Sequence, residues 1–402
     1  MILGNGGNHN VIHTTKIFAN LFGDTSNSVL SICPASVILL GDHTHYNDGV
    51  LISASIDRYW TFLIRKRKDG EINLASTESV NITSLRLDKL EKDEDDSFRL
   101  LKGLIRILKE EDLLRFGFDC VVSSTVPECI GLGSSAAHQV GFLNCIRKVF
   151  ALEIDDEKLL SLVHKNELNI IGKISNIAHH YTVQFGKEKK LFYIDLRTKE
   201  YKTVTLDSVE RSLVICDSGE KIINPQKTCN ERIEECEVGV KGLRLYLWGI
   251  RNLRDIELDF LHKHYHMLPR RIFGRVLYNV KERMRAQEAV KFLRKKSIEE
   301  FGNTINESHK NLAEDYELSN EHCDFIVKES SRIEGVHGSK LISCSPIRST
   351  FHLVDDERLD QFTDTLKKSF KARFQNDLKT YVVKLTGGVK KISLKQIEFS
   401  KQ

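Results

Sequence analysis

Apolar side chains recur in two patterns along the first half of the chain. Short β-branched runs alternate with longer segments in which apolar residues return every three to four positions. The short runs predict strands and the longer segments predict helices. We expect strands at residues 29–32, 36–40, 51–56, 60–65, 72–76, 80–86, 191–195 and 213–216, and helices at residues 14–22, 98–110, 136–150, 156–168 and 170–181.

The second half of the chain has a different pattern. Residues 228–330 carry many basic and acidic side chains at helical spacing and few β-branched clusters, which predicts helices. Residues 340–354 and 381–385, on either side of a predicted helix at residues 357–374, return to a β–α–β order. The whole pattern predicts an α+β fold, with an N-terminal lobe at residues 1–210 and a C-terminal lobe at residues 211–402.

Residues 126–137, Val-Pro-Glu-Cys-Ile-Gly-Leu-Gly-Ser-Ser-Ala-Ala, have the features of a triphosphate-binding loop. Gly131 and Gly133 allow the backbone to approach an anion, and Ser134 and Ser135 add hydroxyls, one of which could ligate Mg²⁺. The loop lies between a predicted strand and a predicted helix, so phosphate would lie over a helix N-terminus, where free N–H groups favour negative charge. No lysine follows the glycines, so this is not a Walker A loop.

Four segments together resemble the GHMP small-molecule kinases, and specifically their galactokinase branch. Residues 127–136 resemble the GHMP motif Pro-x-x-x-Gly-Leu-Gly-Ser-Ser-Ala, and residues 33–49 resemble the galactokinase signature. Residues 306–319 and 381–388 resemble later segments of the same family, in the same order. The resemblance implies a two-lobed fold: an N-terminal lobe with a mixed β-sheet and helices, and a C-terminal lobe of helices with an antiparallel sheet. It also implies an ATP-dependent sugar kinase.

The residues expected to hold Mg-ATP are retained. The resemblance assigns nucleotide binding to Gly131, Gly133, Ser134 and Ser135, with ATP and Mg²⁺ as cofactors. Ser135 stands where the family has its Mg²⁺-binding hydroxyl, and Glu167 aligns with the family's acidic Mg²⁺ ligand. A hydroxyl and a carboxylate are the hard oxygen ligands that Mg²⁺ prefers.

The residues expected around the phosphoryl acceptor have changed. Ser36 replaces an arginine that stabilises charge in galactokinases, and His179 replaces their catalytic aspartate. His45 replaces the aspartate that binds sugar hydroxyls, and Asn176 replaces a sugar-contacting glycine. Asp42 and His43 keep the family's character. We expect Asp42, His43, His45 and Asn176 to contact the substrate, and Lys340 or Arg348 to supply positive charge.

A late glycine-rich motif of the family is also altered. Residues 341–349 read Leu-Ile-Ser-Cys-Ser-Pro-Ile-Arg-Ser where the family has consecutive glycines. Pro346 fixes φ and removes a backbone donor. The substitution puts in question whether this loop still approaches the site closely.

Three interpretations of the altered acceptor residues remain open. The first is a phosphotransferase acting on a hydroxyl of a sugar or related small molecule other than galactose, with His179 as the general base. The second is a catalytically inactive pseudokinase that binds ATP and acts as a ligand sensor or through a protein partner. The third and weakest is a metal site formed by His43, His45, His179 and His180 beside Asp42.

Composition excludes several other classes of protein. The formal net charge of +4 is nearly balanced and predicts no nucleic-acid partner. No run of apolar residues is long enough to predict a membrane span, and the N-terminus has no signal-peptide pattern. The nine cysteines show no Cys-x-x-Cys spacing, which favours free thiols and a cytoplasmic location.

Overall fold

The computed structural model describes residues 5–79, 81–90, 98–172, 175–206, 210–343 and 345–393. Its helices are α1 Asn5–Phe22, α2 Arg99–Glu110, α3 Ser134–Val149, α4 Asp156–Ile171, α5 Ile177–Phe185, α6 Pro225–Leu243, α7 Leu258–Lys263, α8 Arg270–Arg294, α9 Ile298–Glu314, α10 Glu321–Ser330 and α11 Leu359–Phe374. Its strands are β1 Val29–Leu40, β2 Val50–Lys66, β3 Glu71–Ser76, β4 Thr83–Arg86, β5 Phe118–Ser124, β6 Lys190–Asp195, β7 Tyr201–Thr205, β8 Arg211–Lys221, β9 Val336–Ile342, β10 Ile347–Asp355, β11 Lys379–Val383 and β12 Lys390–Ser393.

The strands form two sheets. The larger sheet has eight strands in the order β12-β1-β2-β5-β3-β4, with β6 pairing to β2 and β7 pairing to β6. It is mixed, because β3 and β5 are parallel whereas its other pairs are antiparallel. The smaller sheet is antiparallel, in the order β11-β8-β10-β9. This architecture confirms the predicted α+β fold with a mixed sheet, a helical region and an antiparallel sheet.

The long strand β1 passes directly through Pro34. The prediction of two short strands at residues 29–32 and 36–40 is therefore wrong, since Val29–Leu40 is continuous. The pairing of β1 with β2 shifts register between Pro34 and Ala35, where Asp57 and Arg58 of β2 are left out of the ladder. A bulge of this kind accommodates a residue that cannot donate a ladder hydrogen bond.

The helix predicted at residues 170–181 is also wrong, because two helices meet there. Gly172, at a φ of 82°, follows the end of α4. Asn176 then caps α5, accepting a hydrogen bond from the backbone N–H of Ala178 at 3.0 Å. An amide side chain at this position satisfies one of the free N–H groups of a new helix. The break lets α5 start in a new direction and places His179 in its first turn.

Apolar clusters join the two sheets. One cluster contains residues of β1 and β2, of β8 and β10, and of helices α8 and α9. Ile130 and Leu132 of the glycine loop are buried in the same cluster, so this core anchors the loop. Near the C-terminus, β12 pairs with β1 of the larger sheet. The division at residues 1–210 and 211–402 stays a prediction.

Seven of the described cysteines are free thiols, as expected, but Cys229 is disulfide-bonded. Cys229 is thus an exception to the expected free thiols, because sequence spacing alone does not show which cysteines come together. Among the helices of the described ranges, none has both the length and the apolar content needed to cross a bilayer.

Helix α3 packs on the sheet through His138, whose ring centroid lies 4.3 Å from that of Trp60. Burial lowers the pKa of His138 from 6.5 to about 3. Below about pH 6.5, His138 therefore binds a proton in the unfolded chain but stays neutral in the folded chain. The contribution of His138 to the free energy of unfolding is complete above about pH 6.5 and decreases as the pH falls below that value.

We expect His138→Phe, which keeps an aromatic ring against Trp60, to reduce the pH dependence of stability. Between pH 7 and pH 5 the variant should lose about 2 kcal/mol less unfolding free energy than the parent chain. Urea unfolding at the two pH values measures this difference, with exposed His262→Phe as the control. Equal losses in the parent chain and the His138 variant would contradict the assignment.

Candidate functional site

The glycine loop ends at the N-terminus of α3. Gly131 and Gly133 have φ values of 80° and 58°, in the left-handed region that favours glycine. Helix α3 begins at Ser134, with Gly133 as its cap residue. The Ser134 hydroxyl accepts a hydrogen bond from the Trp60 indole at 3.0 Å, which ties the first turn of α3 to the large sheet. The loop therefore presents a helix N-terminus to the site, the arrangement expected for phosphate.

Gly133 packs directly on Ser36 and His179, the two replaced positions. A Cβ added at Gly133 would lie 2.5 Å from Ser36 Oγ and 2.6 Å from His179 Nδ1. Ser36 Oγ and His179 Nδ1 are themselves hydrogen-bonded at 2.8 Å. Desolvation lowers the pKa of His179 to about 4, an effect that the charge of Asp42 partly opposes. The family's arginine and aspartate positions thus hold a neutral, hydrogen-bonded pair beneath the loop.

Glu167 is a buried carboxylate where α3, α4 and α5 meet. Its Oε1 accepts a hydrogen bond from the Ser135 hydroxyl, and its Oε2 accepts one from the Ser175 hydroxyl, both at 2.5 Å. His180 Nε2 lies 2.8 Å from Oε2. Burial raises the pKa of Glu167, but the His180 imidazole and the two hydroxyls outweigh it and hold the pKa at about 2. The group is therefore ionised, as a metal ligand must be.

The segment after β1 is held as a tight turn. The Gly41 N–H donates to Glu282 Oε1 at 2.8 Å, and the Thr44 hydroxyl donates to the Gly41 carbonyl at 2.7 Å. The Tyr278 hydroxyl donates to the carbonyl of Asp42 at 3.1 Å. His43 is buried, and desolvation, with the positive charges of Lys340 and Arg232, lowers its pKa to about 3. This turn fixes the Asp42 and His43 side chains at one end of the cavity.

One cavity brings together the residues predicted to bind nucleotide, Mg²⁺ and substrate and to act in catalysis. Its described lining includes Asp42, His43, His45, Gly131, Gly133, Ser134, Ser135, Glu167, Asn176 and His179. The phosphate-loop residues and the Ser135–Glu167 pair therefore lie beside the residues predicted to contact the substrate. This co-location is a geometric fact, and the role of each residue stays a prediction.

The loop between β9 and β10 reaches the cavity despite Pro346. Ser343, Ser345 and Pro346 line the cavity. The Ile347 N–H donates to the Cys129 carbonyl at 2.9 Å, and the Ser349 hydroxyl donates to the Ile130 carbonyl at 2.8 Å. These hydrogen bonds hold the altered motif against the phosphate loop, so replacing its glycines has not moved it away.

The basic residues expected near the acceptor lie outside the cavity lining. Lys340 is fully buried, with its Nζ 3.3 Å from Asp42 Oδ2 and 3.6 Å from Glu282 Oε1. Arg348 donates to the Leu318 carbonyl at 2.7 Å. No lysine or arginine is among the described residues that line the cavity. Lys340 instead pairs with Asp42 from outside the cavity lining and neutralises its charge. Sequence spacing did not reveal this contact.

The predicted metal cluster of His43, His45, His179 and His180 is not assembled. Among the described residues, the group of three potential ligands close enough to share an ion is His164, Glu167 and His180. His179 and His180 diverge on α5, so only His180 faces Glu167. His164 was missed, although its position three residues before Glu167 puts both on one face of α4.

Comparison with known proteins shows which families the chain resembles. Residues 16–66 match the model of the galactokinase galactose-binding signature, and residues 99–187 match the model of the GHMP kinase N-terminal domain. The chain is 29% identical to a galactokinase of a Roseiflexus species over 90% of this chain and 93% of that protein. It is 28% identical to a galactokinase of Fusobacterium nucleatum over 94% of this chain and 98% of that protein.

Solved structures agree with the sequence matches. A crystal structure of Lactococcus lactis galactokinase complexed with galactose matches with a TM-score of 0.90 and 25% identity, over 95% of this chain and 100% of that chain. A mevalonate kinase structure matches with a TM-score of 0.64 at 18% identity, which reflects a shared fold. Over most of its length the chain is therefore similar to galactokinases of the GHMP kinase type.

Proposed function

We propose that this protein binds Mg-ATP and transfers its γ-phosphoryl group to a hydroxyl of a sugar or related small molecule other than galactose. The observation that carries the proposal is the contact of Ser36 with His179 beneath Gly133. It places an imidazole directly beside the phosphate loop, where galactokinases have a carboxylate. The named relatives are galactokinases, which supports a sugar-like acceptor.

The described residues fit a nucleotide with its metal ion. The left-handed glycines let the loop backbone lie directly against neighbouring side chains, where a Cβ would clash, and the N-terminus of α3 favours phosphate. Ser135 and the ionised Glu167 offer the hydroxyl and carboxylate oxygens that suit Mg²⁺. When bound, Mg-ATP would supply the phosphoryl group, and its Mg²⁺ would neutralise charge that develops during transfer. The task of this chain's own residues is to hold the nucleotide and orient the acceptor.

The acceptor side uses imidazoles and one carboxylate. His179 is neutral near pH 7, so it can accept the proton of an attacking hydroxyl. Asp42, His43, His45 and Asn176 offer further hydrogen-bonding groups at the same cavity. His43 is also neutral near pH 7 because of its burial. A neutral polyhydroxyl acceptor therefore fits this cavity better than an anionic one.

A second function, an ATP-binding pseudokinase, is favoured by one observation. Within the described lining, the cavity has neither lysine nor arginine to stabilise the transferring phosphoryl group. Phosphoryl transfer depends heavily on such charge. Under this alternative the cavity binds Mg-ATP and a small ligand without turnover, and the protein acts through a partner.

The two functions are distinguished by measuring ADP formation by the full chain with Mg-ATP and a panel of neutral sugars, sugar acids and polyols. Turnover on one compound, above the rate without acceptor, supports the kinase. Bound Mg-ATP with no turnover on any compound supports the pseudokinase. Failure of Mg-ATP to bind contradicts both.

We expect Gly133→Val combined with Ser135→Ala to lower Mg-ATP affinity by roughly 100-fold or more, since each lost charge-assisted hydrogen bond costs about 1.5–3 kcal/mol. Isothermal titration calorimetry measures the affinity. Gly249→Val is the matched control, because Gly249 has a φ of 88° with nothing within 4 Å of an added Cβ. If the double variant binds as tightly as the control, the phosphate-loop assignment is wrong.

We expect His179→Ala to lower kcat on the identified acceptor by roughly 10²–10⁴-fold, the usual contribution of a general base. The Kd for Mg-ATP should stay nearly unchanged, because the ring lies under the loop and supplies no phosphate ligand. Steady-state kinetics and calorimetry measure the two quantities. His337→Ala, at a histidine paired with Asp355 in the smaller sheet, is the control. Full turnover by His179→Ala would exclude the role of base.

A further inference from the structure

A second group of side chains lies behind the cavity, on the far side of Glu167. His164 and Glu167 come from α4, and His180 comes from α5. One ligand atom from each lies within 4.8 Å of the others. Glu167 and His180 are buried, and His164 is half-buried. Two imidazoles and one carboxylate are a common ligand set of transition-metal sites in proteins.

His180 has a buried nitrogen without a hydrogen bond. Its side chain is fully buried, and Nδ1 has no hydrogen-bond partner among the described residues, whereas Nε2 lies 2.8 Å from Glu167 Oε2. A buried polar group without a hydrogen bond is costly, so such groups in proteins need an explanation. A metal ion bound to this histidine would provide one.

The two oxygens of Glu167 face different neighbours. Oε1 accepts the hydrogen bond from Ser135, which lines the ATP-binding cavity in the proposed function. Oε2 faces His180 and accepts the hydrogen bond from Ser175. The Ser175 hydroxyl also lies 3.3 Å from His164 Nδ1, which helps to orient that ring. An ion on the histidine side would therefore be separate from Mg²⁺ on the Ser135 side.

We propose that a transition-metal dication of the zinc class binds between His164, Glu167 and His180 and clamps α4 to α5. Imidazole nitrogen selects zinc-like ions over Mg²⁺, which prefers oxygen ligands. In a tetrahedral zinc site, ligands about 2.1 Å from the ion lie about 3.4 Å from one another. Modest side-chain rotation would bring atoms that are now within 4.8 Å to that spacing.

The clamp would fix the start of α5 and hence the position of His179. His179 and His180 are adjacent, with His179 on Ser36 and His180 on Glu167. A bound ion would hold α5 against α4 and so hold the His179 ring under Gly133. The ion would be a positioning element, since it contacts neither ATP nor the acceptor. Its binding requires neither nucleotide nor turnover.

The test is Zn²⁺ binding by the full chain after treatment with a chelator, without nucleotide. We expect one Zn²⁺ per chain with a dissociation constant on the order of 1 µM or tighter, and no displacement by millimolar Mg²⁺. His164→Gln and His180→Ala should each weaken binding by roughly 100-fold or more. The double variant His262→Ala, His266→Ala removes two exposed histidines and should leave binding unchanged.

If the buried His180→Ala variant does not fold, visible absorption of Co²⁺ bound to the unmutated chain provides a second test. Intense visible bands typical of tetrahedral coordination, lost in His164→Gln, would support the site. Binding in His164→Gln equal to that of the parent chain, or a Co²⁺ spectrum of hydrated ion only, would overturn it. If the chain binds Mg-ATP but not Zn²⁺, the zinc site is wrong and the proposed function is unaffected. If the chain binds Zn²⁺ but not Mg-ATP, the proposed function is wrong and the zinc site is unaffected.

Discussion

A single buried carboxylate, Glu167, sets the geometry of the whole site. Burying a charge is costly unless it is compensated, and here hydroxyls from Ser135 and Ser175 donate to it while His180 lies against it. These contacts join α3, α4 and the start of α5. The N-terminus of α3, and with it the glycine loop, is therefore positioned by the same group that is proposed to ligate Mg²⁺. In the proposed function, helix packing and nucleotide binding would therefore both depend on this side chain.

The acceptor side is organised around a neutral contact instead. Ser36 and His179 are hydrogen-bonded at 2.8 Å. Gly133 packs against both, and a Cβ at this position would clash with them. Galactokinases, which the chain resembles, place an arginine and an aspartate at these positions. Lys340 is buried behind Asp42, and no lysine or arginine is among the described lining residues, so a bound metal ion would supply positive charge near the reacting groups. In the proposed function, the nucleotide half of the site thus resembles that of galactokinases, and the acceptor half does not.

Sequence reasoning predicted the fold class, the glycine loop and the ten residues that meet at the cavity, because those residues lie in family motifs with fixed order. It failed where a contact depends on three-dimensional proximity. The break between α4 and α5 brings His180 back to Glu167, whereas the prediction placed the break near residue 169, between helices at residues 156–168 and 170–181. The signals for the break, Gly172 and the capping Asn176, were present in the sequence. Nothing local indicated that Lys340 would pair with Asp42.

We propose that the phosphate side of the site is retained while the acceptor side no longer suits galactose. Phosphorus NMR of the full chain incubated with Mg-ATP and galactose tests this, because it detects any sugar phosphate itself and not only ADP. We expect no galactose phosphate above the background of an enzyme-free sample, although Mg-ATP is bound. Steady formation of galactose phosphate at a rate typical of an active kinase would contradict it, and would show that the Ser36–His179 pair can replace an arginine and an aspartate.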